Sequence, residues 1–187
     1  MGSSKPSRTF KNFSAVDSSN PDFEELYQSI ILDHSRKPRN FGELPDATVT
    51  ASGDNPSCGD AITLQLKLDP EQGRLADVKF NGDGCSICMA SASMMTTKIK
   101  GRSREEASAL REEFQKMLAP DDGTAAEPPS KALGDLRLLQ GVRKFPQRLK
   151  CATLAWHALR QALSESDAPK HLRFDVEGKS QPATGAS

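Results

Sequence analysis

The chain has 187 residues with 25 basic and 25 acidic side chains, so its formal net charge is zero. That length allows one hydrophobic core and one domain. The cancelled charge gives no field for nucleic acid or an anionic membrane, and no apolar run approaches the ~20 residues of a transmembrane helix.

Residues 1–20 and 165–187 are rich in Ser, Lys, Pro, Gly and Ala and lack periodicity, so both are expected to be disordered tails around a domain over 21–164. The stretch 1–16 holds Lys5, Arg8, Lys11 and four serines but no acid. Organelle transit peptides share that composition, but a plain polar tail on a cytoplasmic protein is the reading adopted.

Asn20-Pro21 followed by Asp22, Glu24 and Glu25 predicts a helix start, with a cap, a proline in the first position and acids at the positive dipole end. Phe23, Leu26, Tyr27, Ile30 and Ile31 continue it at helical spacing, and Arg36-Lys37-Pro38 closes it. His34, in the last turn, reads as a helix-end residue rather than a ligand. A short strand is expected over 48–52. Ile62, Leu64, Leu66 and Leu68 alternate with polar neighbours, Asp69 to Gly73 turns the chain, and Ala76, Val78 and Phe80 alternate again. The fold class is therefore α+β: a three-stranded antiparallel sheet covered on one face by helices.

The first of the helices that follow covers 86–100, where Ala90 to Ser93 permit close packing and Gly101 ends the run. Ser103 to Glu106 is a capping box opening a helix with Leu110, Phe114, Met117 and Leu118 on its apolar face. Pro120, Gly123, Pro128 and Pro129 make 119–131 a loop, 133–139 reads as a short helix, and Pro146 opens the final helix. Leu149, Ala152, Trp156, Leu159 and Leu163 line that helix, with Trp156 in the core.

The four cysteines are too sparse for a disulfide framework, and no hydrophobic signal segment precedes them, which favours metal binding or thiol chemistry. Cys58 follows the turn Asn55-Pro56-Ser57 and precedes Gly59, and Asp60 stands immediately before a buried strand. Cys85 follows Gly82-Asp83-Gly84 at a helix N-terminus, where exposed N–H groups stabilise a thiolate. Cys151 lies in the second turn of the last helix. Three thiols and a carboxylate complete a four-coordinate zinc site, or one edge of an iron–sulfur cluster. The competing set replaces Asp60 with Cys88, because Cys85-Ser86-Ile87-Cys88 is a C-x-x-C and four sulfurs would make a closed structural zinc module. Spacing leaves both sets open.

The segments Leu26-Tyr27, Asp33-His34, Pro38-Arg39-Asn40 and Asn55-Pro56-Ser57-Cys58-Gly59-Asp60 resemble the IscU/NifU/SufU family. Gly82 to Ile87, Met89 to Met95, Leu139 to Val142, Lys144-Phe145-Pro146 and Arg148 to Leu154 continue the resemblance, which spans roughly 22–164. Lys150 stands where scaffold members carry His, and a segment over about 119–138 is inserted; both features resemble the SufU branch.

The resemblance implies zinc held by Cys58, Asp60, Cys85 and Cys151, with Cys88 departing from the usual Ser. It further implies a zinc-dependent sulfurtransferase in iron–sulfur cluster assembly, served by a SufS-type cysteine desulfurase that carries its own pyridoxal phosphate. A partner histidine would displace Cys58 from the zinc, freeing it to accept persulfide sulfur, and the SUF scaffold complex would receive that sulfur in turn. Arg148, three residues before Cys151, is the candidate to steady the thiolate or persulfide; a surface ion pair is its plainer role. The alternative functions are an iron–sulfur cluster scaffold and a structural zinc module.

Overall fold

The computed structural model describes residues 21–119, 129–164, 171–175 and 180–181, with 21–24 and the last two stretches described as backbone only. Helix α1 (Pro21–Arg36) leads to three strands, β1 (Val49–Asn55), β2 (Asp60–Asp69) and β3 (Arg74–Asp83). Helices α2 (Ser86–Ile99) and α3 (Arg104–Leu118), a 3-10 segment (Lys131–Lys144) and α4 (Pro146–Ser164) follow. The predicted cap at Asn20 and the tail over 1–20 lie outside the described residues.

β1, β2 and β3 form the antiparallel meander that the alternation calls for. Val49, Ala51, Ile62, Leu64, Leu66, Val78 and Phe80 point to the covered face and are buried, while the intervening residues stay partly wet. The expected phase fails at one place. A bulge pairs Leu68 with Leu75 and leaves Ala76 without a partner, so Leu75 is buried and Ala76 is exposed.

The sheet is also wider than expected. The segment read as a carboxy-terminal tail supplies β4 (His171–Asp175), parallel to β1, and β5 (Ser180–Gln181), antiparallel to β4. The strand order is β3-β2-β1-β4-β5. β4 occupies the edge of β1, whose N–H and C=O groups would otherwise face solvent.

Helices α2 and α4 lie on the sheet, α4 across β1 and β2, while α1 packs on α2 and α3 packs on α4 and the 3-10 segment. Ser103 accepts the Glu106 N–H and Glu106 bonds back to the Ser103 N–H, completing the expected capping box. Trp156 is fully buried, stacks on Phe114 at a 4.3 Å centroid distance, and donates its indole N–H to Ser91 Oγ at 3.1 Å. Ser91 Oγ in turn donates to the Ala152 carbonyl at 2.6 Å, which ties α2 to α4.

The short helix expected over 133–139 is a longer run wound as 3-10, kinked at Gly134 (φ 54°). Beyond the kink the winding follows the spacing: Leu136, Leu139 and Val142 recur every three residues, eclipse on one face, and are all buried. No helix among the described residues is long and apolar enough to cross a membrane.

Candidate metal centre

The meander brings the tip of the β1–β2 hairpin beside the end of β3: Asn55 pairs with Asp60, and Ala61 with Asp83. The hairpin loop is held by the Asn55 carbonyl, which accepts the N–H groups of Cys58 at 3.2 Å and Gly59 at 2.9 Å. Gly59 has φ 74°, a conformation side chains disfavour, and the reversal it permits leaves Cys58 exposed at the tip. α4 then lays its second turn over this corner and delivers Cys151, which is 3% exposed.

Cys58 Sγ and Cys151 Sγ lie 3.4 Å apart. With one Asp60 carboxylate oxygen they form a group whose ligand atoms all fall within 4.8 Å of one another. Asp60 is only 2% exposed, because it shares the inward phase of Ile62, Leu64 and Leu66 on β2. Its Oδ1 accepts the backbone N–H of Cys85 at 2.9 Å, while its Oδ2 is buried with no hydrogen-bond partner. A buried carboxylate whose remaining neighbours are weak thiol donors is costly. Two converging thiols and a carboxylate oxygen are the donor types zinc accepts, so the residues present fit a zinc ion.

Cys85 caps α2 without a side-chain cap bond and is half-buried. Its backbone N–H is fixed on Asp60, and its thiol is among the neighbours that act on Cys151. Burial first, then hydrogen bonding with Cys58 and Asp60, pushes the Cys151 thiol far above the usual thiol range. Several potential anions therefore face each other here, and a cation is what would let them ionise together.

Cys88 is fully buried one turn into α2. Burial, and then the neighbouring Asp60 carboxylate, push its thiol up as well. Its sulfur is close to the Asp60 carboxylate, since a Cβ placed on Gly84 would sit 3.1 Å from Cys88 Sγ and 3.2 Å from the Asp60 carboxyl carbon; the converging group of Cys58, Asp60 and Cys151 includes neither Cys85 nor Cys88.

Arg148 is exposed on α4 and donates no hydrogen bond to these thiols among the described residues; its charge acts on the half-buried Tyr27 hydroxyl. His34 stands away from the centre, with Nδ1 2.8 Å from Ser93 Oγ, which also accepts the Arg39 N–H.

Asn55 is the residue that sequence reasoning treated only as part of a turn. It is 1% exposed, and its side-chain N–H donates to Cys58 Sγ at 2.8 Å. The signal was present: Asn55 continues the inward phase of Val49, Ala51 and Gly53, and an amide at a core position has to find partners.

Comparison with known proteins gives a consistent answer. The family model described as the NifU-like N terminal domain matches residues 26–152. The iron–sulfur cluster assembly scaffold protein IscU of Streptococcus pyogenes is 44% identical over 147 residues, 79% of this chain and 88% of that protein. The zinc-dependent sulfurtransferase SufU of Bacillus subtilis is 45% identical over 148 residues, 79% of this chain and 96% of that protein. Among solved structures, a candidate iron–sulfur cluster assembly scaffold protein for the SUF system of Fervidobacterium islandicum superposes with a TM-score of 0.65 at 31% identity, covering 75% of this chain and 98% of that one.

Proposed function

The chain belongs to the family of NifU-like N-terminal domains, and from that premise we propose that it is a zinc-dependent sulfurtransferase of iron–sulfur cluster assembly. Family membership supports the broader role, in which the chain acts as a scaffold or a sulfur relay. The observation that carries the narrower reading is an asymmetry within the centre: Cys58 is exposed on a turn, whereas Asp60 and Cys151 are buried. One donor is reachable by another protein, and the others are not.

Cys58, Asp60, Cys85 and Cys151 would hold the zinc. When bound, the ion supplies redox-inert Lewis acidity that keeps thiols deprotonated while tolerating ligand exchange. The Cys58 thiolate attacks the terminal sulfur of a persulfide presented by a SufS-type cysteine desulfurase. A sulfur–sulfur bond forms on Cys58, the donor's sulfur–sulfur bond breaks, and the donor cysteine leaves as a thiolate, so no external oxidant is needed. Asp60, Cys85 and Cys151 are carried by strands and helices, so freeing Cys58 would move a turn rather than a core element. Arg148, exposed three residues before Cys151, is assigned to steady the charged persulfide. The SUF scaffold complex is the acceptor that this reading requires. A cytoplasmic setting suits it, since thiols remain reduced there.

A cluster scaffold is the second reading, favoured by the 44% identity to a protein named as one. The exposed Lys150, where scaffold members carry His, weighs against it. Protein purified without added metal separates the two: one zinc and no colour, against brown protein with iron and sulfide.

The direct test is a single turnover with desulfurase and cysteine in the absence of reductant, followed by peptide mass spectrometry. The extra sulfur should lie on Cys58, and Cys58→Ala should abolish stimulation of the desulfurase. Sulfur on Cys85, Cys88 or Cys151 instead would overturn the assignment.

A further inference from the structure

Asn55 engages both ends of its side chain. Oδ1 accepts the Ser57 N–H at 3.2 Å, while Nδ2 donates to Cys58 Sγ at 2.8 Å and reaches Cys151 Sγ at 3.9 Å. The first contact is the ordinary turn-forming use of asparagine. It does not explain why the amide is buried and directed at sulfur. Turn formation alone needs an oxygen acceptor, which Asp or Ser would supply. The N–H contact needs a neutral donor of this length, and an N–H donor beside a thiolate lowers the energy of its lone pairs.

We propose that Asn55 is a positioning residue for Cys58: its side-chain N–H holds the Cys58 sulfur beside Cys151, in reach of a shared metal, and sets how readily that thiol departs. The link to departure rests on the sulfur-transfer reading above; the hold on the sulfur does not.

The test uses the full chain with cobalt(II) as the metal probe and compares wild type with Asn55→Ser. Serine keeps a short acceptor for the Ser57 N–H, adds no charge, and is too short to reach the Cys58 sulfur. Loss of one hydrogen bond to a charged sulfur should speed metal release to a chelator about tenfold. The sulfur-to-cobalt charge-transfer band should also move to longer wavelength, because the unbonded thiolate is the easier donor. A merely structural Asn55 would lower the melting temperature and leave the band in place. A folded Asn55→Ser with unchanged band and release rate overturns the proposal.

Should Asn55→Ser fail to fold, hydrogen exchange at the Asn55 side-chain amide decides, in metal-free wild type against Cys58→Ala, whose exposed site tolerates truncation. Protection should fall about tenfold when the sulfur is removed, and equal protection overturns the proposal. Persulfide on Cys58 together with a silent Asn55→Ser removes only the positioning role. No persulfide with a shifted band removes only the sulfur-transfer reading.

Discussion

Replacing Asp60 with alanine should have different consequences in metal-free and zinc-loaded protein, and the difference can be estimated from its two oxygens. Oδ1 accepts one hydrogen bond, from the Cys85 N–H, and Oδ2 accepts none although it is buried. In metal-free protein, Asp60→Ala loses a charge-assisted hydrogen bond of about 1.5–3 kcal/mol. It also removes a buried carboxylate whose desolvation costs several kcal/mol. The two terms offset, so the metal-free variant should melt close to wild type. In zinc-loaded protein the variant has lost a direct donor. Disturbing even the groups that orient metal ligands weakens affinity about 10–100-fold, so loss of a donor should reach about 100-fold, or about 2.8 kcal/mol at saturating zinc. For a chain of this length that corresponds to roughly 6–11 °C in melting temperature. Calorimetric melts of both proteins, with chelator and with excess zinc, provide the measurement. An equal fall in both states would show that Asp60 is only a structural cap for Cys85, and the argument from its unpartnered oxygen would fail.

Cys151→Ser should lose zinc and its zinc-dependent rise in melting temperature; full zinc content with unchanged stability would remove Cys151 from the centre. Cys88→Ser should keep zinc and sulfur transfer, with a stability change within about 1 kcal/mol because the new hydroxyl faces the Asp60 carboxylate; loss of zinc would instead support the four-sulfur site. Burial, then the Arg39 charge, holds the His34 imidazole below its ordinary range. Between the unfolded and folded values the unfolded chain therefore binds more protons, so this residue's stability contribution is present above the unfolded value and is lost as pH falls. Melting temperatures of wild type and His34→Gln between pH 7.5 and 5 should show a smaller acid-side decline in the variant, and parallel curves would refute this.

Where one face of an element is buried and the other wet, the pattern was legible: the β2 alternation, the capping box at Ser103 and the apolar face of α3 all appear in the structure. Misreadings fell where a local rule yields to tertiary pairing. The bulge that swaps Leu75 for Ala76 depends on the partner strand, which periodicity within one strand does not encode. β4 alternates Leu172 and Phe174 with polar residues, but five such residues inside a polar stretch form a strand only because the β1 edge is open to them. The 3-10 segment carried its period of three in plain view, yet a short run of leucines at that spacing also fits an α-helix, and periodicity over so few residues does not separate the two.

The centre exposes a subtler limit of pattern reading. Its thiols stood out because cysteine at an element boundary is rare, but the two polar groups that define the site are ordinary residue types whose meaning lies in their phase. Asn55 and Asp60 face each other across the hairpin at positions where the alternation of β1 and β2 calls for apolar side chains. A turn reading absorbs both, since Asn and Asp are what turns use. Carrying the inward phase on to Asn55 and back to Asp60, in steps of two, places an amide and a carboxylate in the core, where each must be partnered. The amide is partnered by Cys58, and one carboxylate oxygen by Cys85; the other carboxylate oxygen meets no N–H or O–H donor. That buried carboxylate, beside two thiols 3.4 Å apart, is the strongest structural reason for placing a cation here.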